Sequence, residues 1–599
     1  MSALHKFHIP VLGIGYSIDT PVKVARYGIS SVISIMDDEL VENMRKYYCN
    51  EINEPYIPIP VSDTDYRAKR ITAYLNLINK IINTQVSELS NLPFDDDNDI
   101  VKYFELLPDH SASKRKYLQM INLEAGDVRT ALENELRTII QAGSIDVNIM
   151  AKVDKINTNA NGELLPVEYS DALSSLRGYA NSELNSSIVF SAGYNPRLYN
   201  YIETFKDFFP DENGSLKKRI ILKVSDYRSA LVQGKILAKK GLWVSEFRIE
   251  SGLNCGGHAF ATEGYLLGPI LEEFKNKKSE LFSDIYALCS VAHTDKGIQS
   301  FVEQPNIKIT VQGGIGTSAE NNFLFEHYMV DGTGWGSPFL LVPEATNVDD
   351  YTLAKLVAAK KEDYYLSHAS PLGVPFNNFR NSSSESQRRE RIAKHRPGSP
   401  CYKKYLISNT EFTEEPICTA SRQYQHLKIK QLKEKNLPVD LLESMLNDVT
   451  EKDCLCEGLS TPALLKEGLP LSHKLSAVTI CPGPNLAYFS GVFSLSQMVS
   501  HIYGRINVLN SLKRPNMFIN ELNLYIDYLR NEIKKIDLTP KQTKYYQTFK
   551  ANLINGIDYY KQLIPYLKNE TDNQIALMKE DLKSALESLN KLEIPLVVK

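Results

Sequence analysis

Residues Ile307–Glu344 read IKITVQGGIGTSAENNFLFEHYMVDGTGWGSPFLLVPE, the pattern of a strand, a glycine loop, a helix, a second strand and a second glycine loop. The first strand is the β-branched run Ile307–Val311, and the second is predicted at Tyr328–Val330. Thr317, with Glu320 three residues later, forms a capping-box pattern that begins the helix. Glycine N–H groups and a helix N-terminus together suit a phosphate. The pattern therefore predicts a phosphate site, although two ordinary tight turns would also contain these glycines.

Strand-like and helix-like segments alternate through the first three-fifths of the chain. Eight strand candidates are centred near Val11, Ile33, Val147, Val189, Leu222, Phe247, Ile309 and Val330. Helical segments between nearly all of them imply parallel strands joined by right-handed crossovers. Eight such units favour an α/β fold of the (β/α)8 (TIM) barrel type, in which the loops after strands 7 and 8 commonly bind phosphate.

Changes in composition predict three regions. The barrel is expected over residues 1–345, with a helical insertion near 55–114. A cysteine-containing, loop-rich extension follows over 346–490, and its polar stretch Asn381–Arg391 is predicted to be mobile. Residues 491–599 are predicted to be a helical C-terminal region, because apolar residues recur every three to four positions from Phe518 to Ile533. This region is a candidate lid or homo-oligomer contact.

The net charge and the hydropathy of the chain indicate which classes of binding partner to expect. The formal net charge is −4 and the sequence pI is about 6.3, so nothing indicates nucleic acid binding. No apolar window reaches the roughly 18 residues of a membrane span, and no secretory signal is visible. We therefore expect a cytoplasmic protein with no membrane partner. Its eight cysteines are expected to be free, metal-bound or catalytic rather than paired in disulfides.

Three short motifs, IPVLGIGYSIDTP from Ile9, VQGGIGT from Val311 and DGTGWGS from Asp331, lie within this strand order. Together they resemble the flavin mononucleotide (FMN)-dependent barrels of the nitronate monooxygenase, enoyl reductase and glutamate synthase type. The resemblance implies a flavin-dependent oxidoreductase of the monooxygenase or reductase type, and it covers roughly Ile9 to Leu341. It places Gly13, Gly15 and Ser17 under the flavin ring. The residues that it implies at the phosphate are Gly313, Gly314, Gly316, Gly334, Gly336 and Ser337.

Two lysines end predicted barrel strands, Lys152 in IMAKV and Lys223 in IILKV. The resemblance implies a lysine against the pyrimidine edge of the flavin, where a cation stabilises the reduced anion. The alternative is that each lysine pairs with a carboxylate at the barrel mouth, such as Asp154 or Asp226.

The loop after the sixth strand reads SGLNCGGHAFATEG from Ser251 to Gly264. It lies at the face where barrel enzymes react, so His258 is a candidate general acid or base. The resemblance also implies a catalytic histidine in this loop. Cys255 is a candidate nucleophile or acid. The alternative is that both residues pack a tight loop.

Five cysteines follow the barrel. We predict that four of them hold a [4Fe–4S] cluster that relays electrons, because cysteine next to proline in loop-rich sequence is common at such clusters. The CPG motif at Cys481 resembles the last ligand of many ferredoxins, and glutamate synthase also has a cluster after its barrel. Zinc is the competing metal, and ordinary buried thiols are the third alternative. The candidate ligands are Cys401, Cys418, Cys454, Cys456 and Cys481.

The predicted function is FMN-dependent redox chemistry on a small organic substrate. An electron-donor protein or NAD(P)H is the expected partner. One alternative is a phosphate-sugar aldolase or isomerase, in which Lys223 would form a Schiff base. The other is a non-catalytic assembly factor that binds metal through the late cysteines.

Overall fold

The computed structural model describes residues 4–150, 153–159, 161–191, 193–255, 263–534 and 538–595. Its central feature is a closed barrel of eight parallel strands in sequence order. The strands are β1 (Phe7–Ile9), β2 (Ser30–Ser34), β3 (Ile145–Ile149), β4 (Ser186–Phe190), β5 (Lys218–Val224), β6 (Val244–Glu250), β7 (Lys308–Gln312) and β8 (Gly332–Gly334).

The barrel closes where β1 pairs with β8. Phe7 lies opposite Thr333 and His8 opposite Gly334, and β1 also pairs in parallel with β2. Each remaining strand pairs with the next one along the chain. The predicted (β/α)8 barrel is confirmed.

The eighth strand differs in position from the sequence prediction. The prediction of a strand at Tyr328–Val330 was wrong, because β8 begins at Gly332. Tyr328 is the C-cap of the preceding helix, and Met329 has a left-handed backbone with φ of 56°. The Tyr328 ring packs edge-on against Phe518 of the C-terminal region. Tertiary packing therefore overrides the strand preference of these residues.

Helices alternate with the barrel strands, and the β2–β3 connection carries the predicted helical insertion. Asp37 begins α2 by accepting a hydrogen bond from Leu40 N at 3.1 Å. The helices of this part are α1 (Thr20–Val24), α2 (Asp38–Glu51), α3 (Tyr66–Asn91), α4 (Asp99–Leu106), α5 (Ala112–Ile121), α6 (Asp127–Thr138), α7 (Asp171–Ala180), α8 (Pro196–Tyr201), α9 (Tyr227–Ala238), α10 (Leu267–Lys296) and α11 (Ser318–His327).

The extension after the barrel is more ordered than the sequence predicted. Asn381–Arg391, predicted as a mobile loop, lies mostly in α13, which Ser382 caps and the Glu385–Arg388 ion pair stabilises. An antiparallel hairpin precedes this helix. The elements are α12 (Asp350–Val357), β9 (Tyr364–Ser367), β10 (Phe376–Phe379), α13 (Ser383–Ala393), α14 (Arg422–Lys433), α15 (Val439–Glu451), α16 (Leu455–Gly458) and α17 (Thr461–Lys466).

The C-terminal region is helical, as the apolar periodicity predicts. The predicted face, from Phe518 to Ile533, is buried and packs against the barrel helix α10 and its neighbours. Its helices are α18 (Leu495–Ile502), α19 (Met517–Glu532), α20 (Pro540–Leu563) and α21 (Asp572–Lys591). Within the described ranges, no helix is both long and apolar enough to cross a membrane.

Candidate active site at the barrel mouth

Polar side chains line the inner wall of the barrel where β5, β6 and β7 end. The Glu250 carboxylate accepts hydrogen bonds from Lys223 Nζ at 3.0 Å, Gln312 Nε2 at 2.8 Å and Asn254 Nδ2 at 2.7 Å. We call these four residues the mouth cluster. Active sites of (β/α)8 barrels lie at the carboxyl ends of the strands. The mouth cluster is therefore the candidate active site.

Lys223 is placed where the sequence predicted, at the carboxyl end of β5. It pairs with a carboxylate at the barrel mouth, as the alternative stated, but the partner is Glu250 and not Asp226. Asp226 instead caps α9 by accepting a hydrogen bond from Ser229 N at 2.7 Å. The Lys223 side chain retains 16% exposure. The ammonium group is thus held by a carboxylate and still reaches the mouth of the barrel.

A charged layer lies deeper in the barrel and supports the mouth cluster. Arg248 Nε donates to Glu246 at 2.8 Å, and Arg248 Nη2 lies 3.7 Å from Asp146 across the lumen. Burial works to raise the pKa of Glu246, but Arg248 and its other partners hold that pKa below its usual value. Burial raises the pKa of Asp146. This network fixes the direction of the β6 side chains.

His8 faces the lumen from β1, and sequence reasoning did not select it. Its Nε2 lies 3.4 Å from the side-chain oxygen of Gln312. Burial and the charge of Arg248 lower the pKa of His8 to about 3. The imidazole is therefore neutral near pH 7, so it can position Gln312 but does not add charge to the mouth cluster.

Asn148 supplies an unsatisfied polar atom to the inner wall. It lies on β3 beside Val189, and Val189 clusters in the lumen with Val32 and Ile221. The side-chain oxygen of Asn148 is buried and has no hydrogen-bond partner among the described residues. Buried polar atoms are nearly always hydrogen-bonded, so this oxygen on the inner wall could accept a hydrogen bond from a molecule bound in the barrel.

The first predicted flavin loop packs against the extension. Gly15 N donates to Leu459 O at 2.7 Å, and a Cβ on Gly15 would lie 2.7 Å from Ser460 O. Gly13 has φ of +134°, and its Cβ direction is filled by the Tyr16 ring. Ser17 Oγ accepts a hydrogen bond from Leu12 N at 3.3 Å within the loop. Close packing thus accounts for the two glycines, and their place under a flavin ring stays a prediction.

The loops after β7 and β8 also pack tightly against the protein itself. A Cβ on Gly313 would lie 3.0 Å from Asn254 N, and one on Gly314 would lie 2.5 Å from Leu253 Cδ1. The same is true of Gly334, Gly336 and Gly316, which face Gln312, Cys255 and Arg514 respectively. Ser337 Oγ accepts a hydrogen bond from Gly483 N at 2.8 Å. Close packing thus accounts for these glycines, and their assignment to a phosphate stays a prediction.

A carboxylate already lies at the predicted phosphate position. Glu320 accepts a hydrogen bond from Gly316 N at 2.9 Å and another from Met517 N at 2.6 Å. It also forms a two-pronged ion pair with Arg514, at 2.6 and 2.9 Å. Both side chains are almost fully buried. Arg514 of the C-terminal region therefore neutralises the carboxylate that binds the glycine loop after β7. No local sequence pattern predicts this contact.

Cys255 lies under the mouth, where its thiol hydrogen-bonds to Cys481. Both sulfurs also approach Leu12 O, at 3.8 and 3.7 Å. Burial, followed by the hydrogen bond to Cys481, raises the pKa of the Cys255 thiol. Because the thiolate is the nucleophile, this environment disfavours the predicted nucleophilic role of Cys255. The predicted residues Lys152 and His258 lie outside the described residues.

Glu521 on α19 reaches the loop after β6. Its carboxylate accepts hydrogen bonds from Ser251 Oγ and Leu267 N, both at 2.7 Å. Burial raises the pKa of Glu521 to about 7. The α19 periodicity places Glu521 near the buried face, but only the packing of α19 on the barrel shows which loop it meets.

The structure divides the five late cysteines into two groups. Cys401, Cys418, Cys454 and Cys456 interact with one another. Cys481 lies in the same apolar cluster but bonds to Cys255. In the part of the chain that the structure describes, no group of three or more histidine, cysteine, aspartate or glutamate side chains is placed to hold a metal ion.

The polar residues of the inner wall follow a sequence pattern that our sequence analysis did not use. In β6, residues Glu246, Arg248 and Glu250 are separated by one residue each, and Thr310 and Gln312 repeat that spacing in β7. Successive side chains of a strand point to opposite faces. Polar residues at every second position of a barrel strand therefore indicate a polar lumen.

Comparison with known proteins adds little to this description. No family model matches the chain, and no curated protein matches it. Among solved structures, the enoyl reductase domain of MlnA from the macrolactin biosynthesis cluster of Bacillus amyloliquefaciens is similar over 75% of this chain and 94% of its own, with 13% identity and a TM-score of 0.31. At that TM-score the likeness carries no argument, so the barrel rests on the observed strand pairing.

Proposed function

We propose that the protein is an FMN-dependent oxidoreductase that acts on a small organic substrate at the barrel mouth. The observation that carries the proposal is the unpaired, buried side-chain oxygen of Asn148 on the inner wall of the barrel. Together with the mouth cluster, it supplies hydrogen-bond acceptors, donors and a cation, which are the groups that the pyrimidine edge of a flavin requires.

Within this proposal the residues have separate roles. Asn148 would accept a hydrogen bond from the ring N–H, and Gln312 and Lys223 would meet the ring oxygens. Bound FMN would supply two-electron redox chemistry that the side chains lack. Lys223 would stabilise negative charge on the ring, while Glu250 holds its ammonium group in place at 3.0 Å. The phosphate contacts predicted from the glycine loops are part of the same proposal.

The aldolase alternative would require the Lys223–Glu250 ion pair to break. A Schiff base forms from a neutral lysine amine. Lys223 instead has its ammonium group in an ion pair with the nearly buried Glu250. The electron relay predicted from the late cysteines depends on side chains outside the barrel and is independent of the flavin.

The experiment is to measure flavin in purified protein and in two matched variants. We expect the protein to release FMN on denaturation, identified by mass spectrometry. Asn148→Ala removes the unpaired oxygen and should lower FMN affinity by about tenfold, the effect of losing one hydrogen bond of roughly 1.4 kcal/mol. It should lower thermal stability only slightly, because the oxygen has no hydrogen-bond partner to lose among the described residues.

The control is Ser31→Ala. Ser31 Oγ is also buried without a partner among the described residues, but Ser31 pairs with Ile145, a residue of the core outside the lumen. This variant should bind FMN as the parent protein does. Parent protein that neither contains FMN nor binds added FMN would refute the proposal.

A further inference from the structure

A cleft of about 2020 Å³ lies between the extension and residues 153–158, which follow β3. The residues of the mouth cluster do not line it. Its volume exceeds the range of about 300–1,000 Å³ that is typical of small-ligand pockets. The cleft is therefore distinct from the candidate active site and has room for a sizeable organic molecule.

The lining of the cleft is net positive, although the chain as a whole carries a formal net charge of −4. Six lining residues are lysine or arginine, and four are aspartate or glutamate. The six cations are Lys155, Arg396, Lys404, Arg422, Lys430 and Lys433. Across the described part of the chain, no carboxylate forms an ion pair with any of these six. The cleft therefore presents positive charge that the protein does not neutralise, and it should attract anions.

One face of α14 supplies much of this charge. Its basic residues recur every three to four positions, so they lie along a single face of the helix. They are Arg422, His426, Lys430 and Lys433, and all of them line the cleft. Lys428 lies on another side of α14, outside the cleft, and pairs with Glu411 at 2.6 Å. The lysines and arginines of α14 without a carboxylate partner are thus those that border the cleft.

Arg422 has the most specific surroundings of these cations. Its Nε atom is buried and has no hydrogen-bond partner among the described residues. Buried donors are nearly always hydrogen-bonded, and a guanidinium group can bind a phosphate through two parallel N–H groups. Arg422 is also the first residue of α14, where the helix dipole adds positive potential. This end of the cleft is therefore suited to a phosphate group.

A short loop holds a second arginine against the beginning of α14. Arg422 N donates to Ser399 O at 2.8 Å, and Ser399 N donates to Ala420 O at 2.9 Å. Gly398 has φ of +84°, and a Cβ on it would lie 2.7 Å from Arg422 Cα. These contacts fix the segment that carries Arg396, which lines the same cleft.

The cleft also offers apolar surface and length. Ile407, Ile417 and Ile429 are among its lining residues. Arg422 and Lys430 are eight positions apart on α14, which corresponds to about 12 Å along the helix axis. An inorganic phosphate could contact only one end of this span. An elongated molecule with phosphate and apolar parts could use the cations and the isoleucines together.

We propose that this cleft binds a phosphorylated organic molecule of nucleotide size, with the Arg422 and Arg396 guanidinium groups at a phosphate and the Lys430 ammonium group further along. Phosphate is favoured over carboxylate because guanidinium groups and helix N-termini both suit it. The ring of a nucleotide base provides a face for the isoleucines. The proposal goes beyond the flavin assignment and does not depend on it.

The test is a fluorescence titration of the full-length protein with adenosine diphosphate that carries an N-methylanthraniloyl label on its ribose (mant-ADP). We expect saturable binding that weakens as the salt concentration rises, because salt screens exposed charges. Unlabelled adenosine diphosphate should displace the probe. Inorganic phosphate should displace it only at much higher concentration, and a hexa-aspartate peptide should not displace it.

Matched variants locate the binding. Arg422→Gln and Lys430→Gln each remove one cation from the cleft and should raise the dissociation constant of mant-ADP by about tenfold, as expected for one charge-assisted hydrogen bond. Lys428→Gln removes the same charge from another side of α14 and should bind as the parent does. Asn148→Ala, inside the barrel, should also bind mant-ADP normally. Circular dichroism melting of each variant separates loss of binding from loss of fold.

Four outcomes would overturn the proposal. The first is folded parent protein that does not bind mant-ADP. The second is equal weakening by Lys428→Gln, which would show that only the net charge matters. The third is displacement by hexa-aspartate as effective as that by adenosine diphosphate, which would make the cleft a docking surface for an acidic protein segment. The fourth is binding that depends on Asn148 and not on Arg422, which would place the probe in the barrel. Missing FMN with normal mant-ADP binding would refute only the flavin assignment.

Discussion

The buried Glu521 carboxyl makes the free energy of unfolding decrease as the pH rises. Burial raises the pKa of this carboxyl from its ordinary value of 4.5 to about 7. The folded protein therefore binds the proton more tightly than the unfolded chain does. Its contribution to stability is complete below pH 4.5 and is lost as the pH rises to about 7.

The size of the effect follows from linkage. Each tenfold change in proton affinity is worth about 1.4 kcal/mol, so the difference between 4.5 and about 7 amounts to about 3 kcal/mol. Glu521→Gln removes the titration. Glutamine can still accept from Leu267 N with its oxygen and can donate to the Ser251 hydroxyl with its amide. Between pH 4.5 and pH 8, the parent should therefore lose about 3 kcal/mol relative to this variant.

The assay is urea denaturation of parent and variant at half-unit pH steps from 4.5 to 8. Subtracting the two free energies of unfolding cancels the other titrating groups. Glu443→Gln, which changes an exposed glutamate on α15, is the control and should follow the parent at every pH. A parent–Glu521→Gln difference that stays constant with pH, or that grows in the parent's favour as the pH rises, would refute the reasoning.

Two further substitutions test how the C-terminal region and the loop after β6 pack on the glycine loops. Arg514→Met leaves the buried Glu320 carboxylate without its ion pair and should cost about 3–5 kcal/mol in denaturant unfolding; a loss below 1 kcal/mol would show that the pair contributes little. Gly314→Ala should cost about 1–3 kcal/mol, because its Cβ would lie 2.5 Å from Leu253 Cδ1 and φ is +79°. The control is Gly297→Ala, because Gly297 has φ of +63° with nothing within 4 Å of its Cβ. This variant should lose about 1 kcal/mol or less of unfolding free energy. Equal losses in the two variants would mean that backbone strain, not crowding, explains the cost at Gly314.

The crowding at Gly314 also limits which substitutions can test the predicted flavin phosphate site. An aspartate at this position would place a carboxylate at the predicted phosphate site, but its Cβ would first collide with Leu253. Loss of flavin in such a variant would then report a distorted loop. Asn148→Ala is the better probe, because the side-chain oxygen that it removes has no hydrogen-bond partner among the described residues.

The sequence by itself determined the barrel and most of its strands. Runs such as Ile145–Ile149 and Lys218–Val224 are set by local side-chain preference and by the alternation of strands with helices, so they lie where predicted. The capping box at Thr317 is equally local, and Glu320 N donates to the Thr317 hydroxyl at 3.1 Å. These features depend on residues within a few positions of each other.

Tertiary structure decided which distant residues share a site. Glu320 is bound by Arg514, the loop at Ser251 is held by Glu521, and Cys481 turns toward Cys255 rather than toward the other late cysteines. None of these pairs has a spacing that a helix or strand would impose. They form because the extension and the C-terminal helices bury their apolar faces on the barrel, and that packing sets the position of every polar group they carry.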